Sequence, residues 1–355
     1  MFVKNSWYCA GWDYELSQGK EALLTRRIAG EELVLYRKPD GSVVAMEDRC
    51  CHRQAPLSLG KKEGDALRCM YHGLKFGPDG KCVEIPGQEN IPPQACVRTF
   101  PVVEKNNWIW VWMGDPEKAD PDLICFSVGP GDRNWNIKTS KVRVNANYRL
   151  EIANLMDLSH VTWVHEHTFG GTDAYTYADA KHTLTKRGVN SKFWLRGVPA
   201  PVFAQHLFPQ GALFDLRFDV EMTIPCNFVL HFQVWTPGSA TDDGEPTGQM
   251  ILDSYASQAI TPRDEDSVDY YYAWGSSVAT DGPGMSDMLH ETITTAFIED
   301  KEMLEAQHQR MKERPNKKMI EIVHDAAPGK LLWVLDKLLK DEASEAAQAP
   351  ELAAS

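Results

Sequence analysis

Apolar and polar positions alternate in short runs along the first third of the chain, and turn residues separate the runs. Leu33-Val34-Leu35-Tyr36 and Val43-Val44-Ala45-Met46 flank Pro39-Asp40-Gly41-Ser42, with Pro and Gly where a tight reversal wants them. Pro78-Asp79-Gly80 separates Leu74-Lys75-Phe76 from Cys82-Val83-Glu84, and Glu104-Lys105-Asn106-Asn107 leads into Trp108-Ile109-Trp110-Val111-Trp112-Met113. Three Trp spaced two apart share one face of that last strand and fill a small β core. The pattern predicts a small antiparallel β domain over roughly the first 115 residues.

A polar stretch twice interrupted by Pro, residues 114–121, reads as a linker, so domains are expected at 1–118 and 119–340. Strand-like runs at 213–220, 228–235, 250–256 and 268–274 predict an antiparallel sheet in the second domain, with helices before and after it. One helix is expected from about Tyr148, in a stretch without Gly or Pro. Another starts near Ser286, a plausible N-cap, with an apolar stripe of Leu289, Ile293, Ala296, Phe297, Leu304 and Met311. The Ala- and Glu-rich residues 341–355 have little to bury and read as a frayed tail. The fold class is α+β: a β domain, then a helix-flanked antiparallel sheet of the helix-grip type.

Composition narrows the function. The length of 355 residues suits two domains, and 43% apolar residues suffice for buried cores. No apolar run reaches the ~18 residues of a membrane span. The opening Met1-Phe2-Val3-Lys4-Asn5-Ser6-Trp7 lacks the basic and apolar regions of a signal peptide, which points to the cytoplasm. There Cys9, Cys82, Cys96, Cys125 and Cys226, which show no pairing motif, are expected as reduced thiols. A formal charge of −13 argues against nucleic acid and is compatible with docking a redox partner by charge.

Two stretches then stand out. Cys50-Cys51-His52 and Cys69-Met70-Tyr71-His72 each offer one thiolate and one imidazole. Four thiolates would suit an ordinary ferredoxin cluster, whereas one soft anionic and one neutral ligand per loop suit a Rieske [2Fe–2S] centre. Replacing two thiolates by imidazoles makes the cluster less negative, so its potential rises from about −400 mV to above roughly −150 mV. A zinc knuckle on the same four residues is the competing reading. Cys51 adjoins His52, and using both would force neighbouring side chains onto one cluster, so Cys51 is read as a bystander.

A second constellation lies in Asn154-Leu155-Met156-Asp157-Leu158-Ser159-His160-Val161-Thr162-Trp163-Val164-His165. Asn154, Asp157 and His160 step along one side of the predicted helix, polar groups on what should be a buried stripe. His165 reaches the same place as His160 only if the helix ends or bulges near Trp163. Asp300 falls between Phe297 and Leu304 on the apolar stripe of the later helix, whereas Glu299, Glu302 and Glu305 fall off its centre. Two His and one carboxylate form the donor set of a non-haem Fe(II) site. The competing reading of Asp300 is a buried carboxylate that caps or pairs with Arg or Lys.

With these motifs in view, the chain resembles the Rieske non-haem iron oxygenases, and most closely the branch of vanillate and dicamba O-demethylases. The resemblance covers nearly the whole chain. It includes Ala55-Pro56-Leu57-Ser58-Leu59-Gly60, Tyr71-His72-Gly73-Leu74, Pro86-Gly87-Gln88 and Glu299-Asp300-Lys301-Glu302-Met303-Leu304-Glu305. It implies that Cys50, His52, Cys69 and His72 hold the cluster and that His160, His165 and Asp300 hold the iron. It further implies that Asp157 bridges the two centres, that Asn154 lies near the iron, and that the chain assembles as a homotrimer. Cys51 stands where the resembled sequences carry Pro or Ala.

Electron counting completes the expectation. Inserting one oxygen atom into a C–H bond while releasing the other as water takes two external electrons. No G-x-G-x-x-G follows a strand, so a separate reductase, with or without a ferredoxin, must bring them from NAD(P)H. The branch implies O- or N-dealkylation of a small aromatic compound with O₂. Ring cis-dihydroxylation and plain Rieske electron transfer are the alternatives.

Overall fold

Five consecutive buried residues, Trp108 to Trp112, mark the centre of the first unit: Ile109 and Val111 are as deeply buried as the three Trp. A strand covered on both faces loses the alternation expected of a half-exposed one. The computed structural model describes residues 1–16, 22–125, 127–170, 172–242 and 245–348. It divides into two compact units, one of Phe2–Ile124 with Thr261–Asp264, the other of Met1, Cys125–Ile260 and the residues from Glu265 onward.

The first unit is built of short antiparallel strands in three sheets. Strands β1 (Trp7–Trp12), β2 (Leu24–Ile28), β3 (Glu31–Arg37) and β4 (Val43–Glu47) come first. They are followed by β5 (Lys61–Glu63), β6 (Ala66–Arg68), β7 (Lys75–Phe76) and β8 (Cys82–Glu84). The last are β9 (Thr99–Phe100), β10 (Val102–Lys105) and β11 (Trp108–Trp112). The sheet orders are β1-β11-β10, β2-β3-β4-β9 and β5-β6-β7-β8. The turn chemistry expected from the sequence is present. The Asp40 carboxylate accepts from the Ser42 amide at 2.9 Å in the β3–β4 turn, and Asn106 and Asn107 both take positive φ, 52° and 68°, between β10 and β11.

The second unit holds one seven-stranded sheet. Its strands are β12 (Trp135–Val144), β13 (Lys181–Leu184), β14 (Gly188–Pro199), β15 (Leu213–Thr223), β16 (Asn227–Trp235), β17 (Met250–Asp264) and β18 (Ser267–Ser277), in the order β12-β18-β17-β16-β15-β14-β13. The four runs foreseen from sequence fall within β15 to β18; β12, β13 and β14 were not foreseen, although β14 alternates in burial much as β15 does. Helices α1 (Tyr148–Met156) and α2 (Val161–Val164) precede most of the sheet, and α3 (Met285–Glu313) and α4 (Ala326–Gln348) follow it. Helix α3 packs on β12 and β18. It is capped by Gly284 rather than by Ser286, whose buried hydroxyl instead meets Asp281 and Ser276.

The expected tail differs as well. Helix α4 runs unbroken to Gln348, so residues 341–348 are helical, and 349–355 lie outside the described residues. Leu331, Val334 and Leu335 bury one stripe of α4 against α1 and β14, and the Ala- and Glu-rich sequence then propagates the helix at little cost.

Candidate active site

The two ligand loops of the first unit are built alike. The Cys50 amide donates to the Ala55 carbonyl at 2.9 Å, and the Cys50 carbonyl accepts from the Gln54 amide at 2.9 Å. The Cys69 amide donates to Leu74 at 2.8 Å, and its carbonyl accepts from Gly73 at 2.9 Å. Gln54 and Gly73 both take positive φ, 59° and 79°, to close these turns. A Cβ on Gly73 would lie 2.7 Å from Cγ of Pro86.

Cys50 and Cys69 sit in the apolar core with Val34, Met46, Leu57, Leu67 and Phe76, while His52 and His72 stand exposed with ring centroids 4.5 Å apart. Two thiols rooted in the core and two imidazoles paired at the rim fit a cluster with one iron on each side. Burial, and then the neighbouring Cys69, push the Cys50 thiol up to about 11, so a positively charged centre is what would draw the Cys50 thiolate out. Cys51 is exposed, outside that cradle.

In the second unit α1 begins at Asn147, whose side chain accepts from the Arg149 amide at 3.0 Å. The helix breaks at Asp157, earlier than the sequence suggested near Trp163. The Asp157 carboxylate caps a single 3-10 turn, Leu158–His160, by accepting from Ser159 at 2.9 Å, and α2 follows at once. Because α2 ends at Val164, His165 swings back beside His160, with ring centroids 5.1 Å apart. Asp157 therefore does not turn its carboxylate to His160; its backbone carbonyl faces His160 Nδ1.

Asp300 on α3 closes the group. His160 Nε2 lies 3.5 Å from Oδ1 and His165 Nε2 lies 3.2 Å from Oδ2, and one ligand atom from each residue falls within 4.8 Å of the others. The Asn154 amide donates to Asp300 Oδ1 at 3.1 Å. Asp300 is 3% exposed, and its described partners are imidazoles and an amide, with no Lys or Arg among them. Burial alone would raise this carboxyl; the hydrogen bond from His165 and the two imidazoles outweigh it and hold the group below its ordinary value. In the same way burial works against charging His165, but Asp300 and Glu299 together raise it. The Oδ1 of Asn154 is buried with no partner among the described residues. This is the donor set and electrostatic setting of a divalent metal site.

Glu299 was missed. Read as lying off the buried stripe, it accepts from His165 Nδ1 at 2.8 Å and from the Thr168 hydroxyl at 2.9 Å. A carboxylate on Nδ1 fixes the tautomer that presents Nε2 to a metal. The signal available was adjacency: two acids in a row on a helix point about 100° apart, so only one can enter the stripe.

The triad opens into a cavity between the sheet and α3. Phe228, Leu230 and Phe232 alternate along β16 and line it, so His231 falls on the opposite face, where it meets Asp253 at 2.6 Å. Trp274 lines the cavity, whereas His290 lies against Tyr272.

Fold and site define a class: a Rieske unit joined to a mononuclear 2-His-1-carboxylate unit. The vanillate O-demethylase oxygenase C-terminal domain family matches residues 144–341, and the Rieske [2Fe–2S] domain family matches residues 6–101. The chain is 35% identical to the iron–sulfur subunit of the toluene-4-sulfonate monooxygenase system of Comamonas testosteroni, over 96% of this chain and 98% of that one. It is 33% identical to the oxygenase component of chloroacetanilide N-alkylformylase of Rhizorhabdus wittichii, over 86% of each. The crystal structure of dicamba monooxygenase bound to dicamba superposes with a TM-score of 0.85 at 30% identity, covering 97% of this chain and 99% of that one.

The chain belongs to the Rieske non-haem iron oxygenases of the vanillate O-demethylase family. Its cofactors are a Rieske [2Fe–2S] cluster and a mononuclear non-haem iron, and as a monooxygenase component it depends on a reductase or ferredoxin. Among the described residues no helix is long and apolar enough to cross a membrane.

Proposed function

We propose that the chain removes O- or N-alkyl groups from a small aromatic compound, with Cys50, His52, Cys69 and His72 on the cluster and His160, His165 and Asp300 on the iron. The observation that carries this reading is the meeting of His160, His165 and Asp300 at the end of an aromatic-walled cavity. When bound, the cluster passes single electrons and the iron activates O₂. Overall, R–O–CH₃, O₂, two electrons and two protons give R–OH, formaldehyde and water.

The chain's own residues set the conditions. Glu299 holds the Nδ1 proton of His165, and the Asp157 carbonyl holds that of His160, so both rings turn Nε2 to the metal. Asn154 steadies Asp300. Phe169, Phe218, Phe228 and Trp274 keep water from the reacting carbon.

NAD(P)H is the ultimate donor, and the protein works in the reducing cytoplasm. A head-to-tail homotrimer lets the cluster of one subunit serve the iron of the next through Asp157. Exposed Met70 and Tyr71, at 60% and 61%, ring the imidazole rim as a contact surface suited to this. The test is product analysis with purified reductase components and O₂ on a panel of aryl methyl ethers and N-alkyl anilides. Stoichiometric aldehyde release is expected. A cis-diol would instead assign ring dihydroxylation, and reduction of the cluster without any product would assign electron transfer alone.

A further inference from the structure

The walls of the cavity carry no charge to meet a charged substrate. Among the described residues that line it there is no Lys or Arg, and the ionisable groups are the triad itself and Tyr175. Phe218 on β15, Phe228, Leu230 and Phe232 on β16, and Trp274 on β18 supply hydrocarbon faces. The polar edges of the walls are mostly taken up elsewhere. Trp274 Nε1 donates to Ser254 Oγ at 2.6 Å, away from the cavity, and Gln258 Oε1 accepts from the buried Tyr270 hydroxyl.

Two donors are left over. With its oxygen held by Tyr270, Gln258 keeps an amide NH₂ for which the structure gives no partner, and the residue is only 3% exposed. The Tyr175 side chain is also buried, edge-on against Phe218 at 5.7 Å, and its hydroxyl has no described partner. Both residues line the cavity. Neither donor is among the fully enclosed unpaired polar atoms, so each is reached from the cavity, where an acceptor on the occupant can meet it.

The metal end supplies no counter-ion either. Asp300 faces both imidazoles directly and Glu299 faces His165 from behind, so two carboxylates offset the double charge of a divalent ion there. An aryl carboxylate or sulfonate would have to bury its anion among phenyl rings without a cation, which is among the least favourable placements a protein can offer.

We propose that the cavity selects uncharged aromatic substrates bearing an oxygen acceptor, such as a carbonyl, held by the Tyr175 hydroxyl and the Gln258 amide, and that it rejects aryl carboxylates and sulfonates. This rests on the dealkylation reading and narrows it, and it departs from the relative named for toluene-4-sulfonate.

The test is equilibrium binding to the holoenzyme by titration calorimetry, with matched ligands of one shape: 4-methoxyacetophenone, 4-methoxybenzoate and 4-ethylanisole. The ketone is expected to bind at least about tenfold more tightly than the acid. Tyr175→Phe and Gln258→Leu should each weaken the ketone about fivefold while leaving 4-ethylanisole unchanged, since the two share the methoxy oxygen and only the ketone adds a carbonyl acceptor. An acid that binds as well as the ketone overturns the proposal, as does failure of both to bind. Variants that weaken the ketone and 4-ethylanisole alike also overturn it, because the two residues would then serve packing alone. Selective ketone binding without aldehyde release supports this inference and rejects dealkylation, whereas aldehyde from the acid alone does the reverse.

Discussion

Glu299 and Asp300 are neighbours in sequence with opposite duties. Asp300 faces the two Nε2 atoms, and Glu299 holds His165 from behind. If Asp300 holds the iron as proposed, Asp300→Ala should lose the iron while the visible spectrum of the cluster persists. Glu299→Ala keeps all three ligands but frees the His165 ring to rotate or change tautomer, and iron affinity should fall by about 10- to 100-fold. Glu302→Ala, on the outer side of α3, should change neither. Iron and acid-labile sulfide per chain, measured after dialysis against graded chelator, separate the three. Wild-type iron retention in Asp300→Ala would refute the triad as assigned.

Glu151, one turn before Asn154 on α1, is a second buried acid. Burial, and then the nearby Asp300 carboxylate, push its pKa up to about 8. Its folded pKa thus lies above that of the unfolded chain, near 4.3 for a model Glu. Between those two values the native state holds a proton that the unfolded state lacks, so stability falls as pH rises, by up to about 1.4 kcal/mol per pH unit, and levels off above pH 8. Glu151→Gln fills the same space without the titration. Its thermal midpoint should exceed that of the native protein at pH 8 and approach it at pH 5. Identical pH profiles for the two proteins would show that Glu151 is not buried neutral.

At the scale of elements, the two ligand loops are one device used twice, a cysteine whose amide and carbonyl tie down the next five residues. The device depends on a left-handed residue before its close. In the second loop that residue is Gly73, which also sits under Pro86. Gly73→Ala meets both a strained φ, at about 1–2 kcal/mol, and a clash with the Pro86 ring. Gly87→Ala has the same sign of φ, at 78°, but open space around its Cβ. Cluster content, read from sulfide and visible absorbance, should drop well below native in the first variant and stay close to native in the second. Equal cluster content in the two would show that the loop absorbs the clash.

The α1–α2 segment uses another device, a helix stopped by its own aspartate. Asp157 ends α1 and caps the turn that follows, and that interruption places His165 beside His160. Five residues of continuous helix would have put the two rings on different faces.

At the scale of the whole molecule, the proposed ring makes a prediction no single chain can. With the ligands proposed, His72→Ala should abolish turnover by spoiling the cluster and His160→Ala by removing the iron. Co-expressed in mixed trimers, they should recover partial activity, because some interfaces then pair an intact cluster with an intact iron site. Verified mixed oligomers that stay inactive would refute electron transfer between subunits. Asp157→Ala, which should keep both metals and lose turnover, tests the same route from within one chain.

Much of this was legible in the sequence, because ligand chemistry restricts residue type and spacing more tightly than packing does. One thiolate and one imidazole per loop specified the cluster cradle, and a carboxylate in an apolar slot of α3 specified Asp300. Strand β15 was readable because its burial alternates with period two, whereas β18, buried along nearly its whole length, was readable as the apolar and aromatic run Tyr270 to Trp274. Other features were decided only by tertiary contact. Glu299 looks solvent-facing on its own helix and is drawn inward by His165 and Thr168 from a distant segment. Strand β12, which pairs with β18, and helix α4, which packs on α1 and β14, depend on neighbours far away in sequence. The neutral character of the cavity also belongs to the folded state. No local pattern says that Trp274 and Gln258 turn their polar groups to Ser254 and Tyr270, because those partners come together only when β17 and β18 pair.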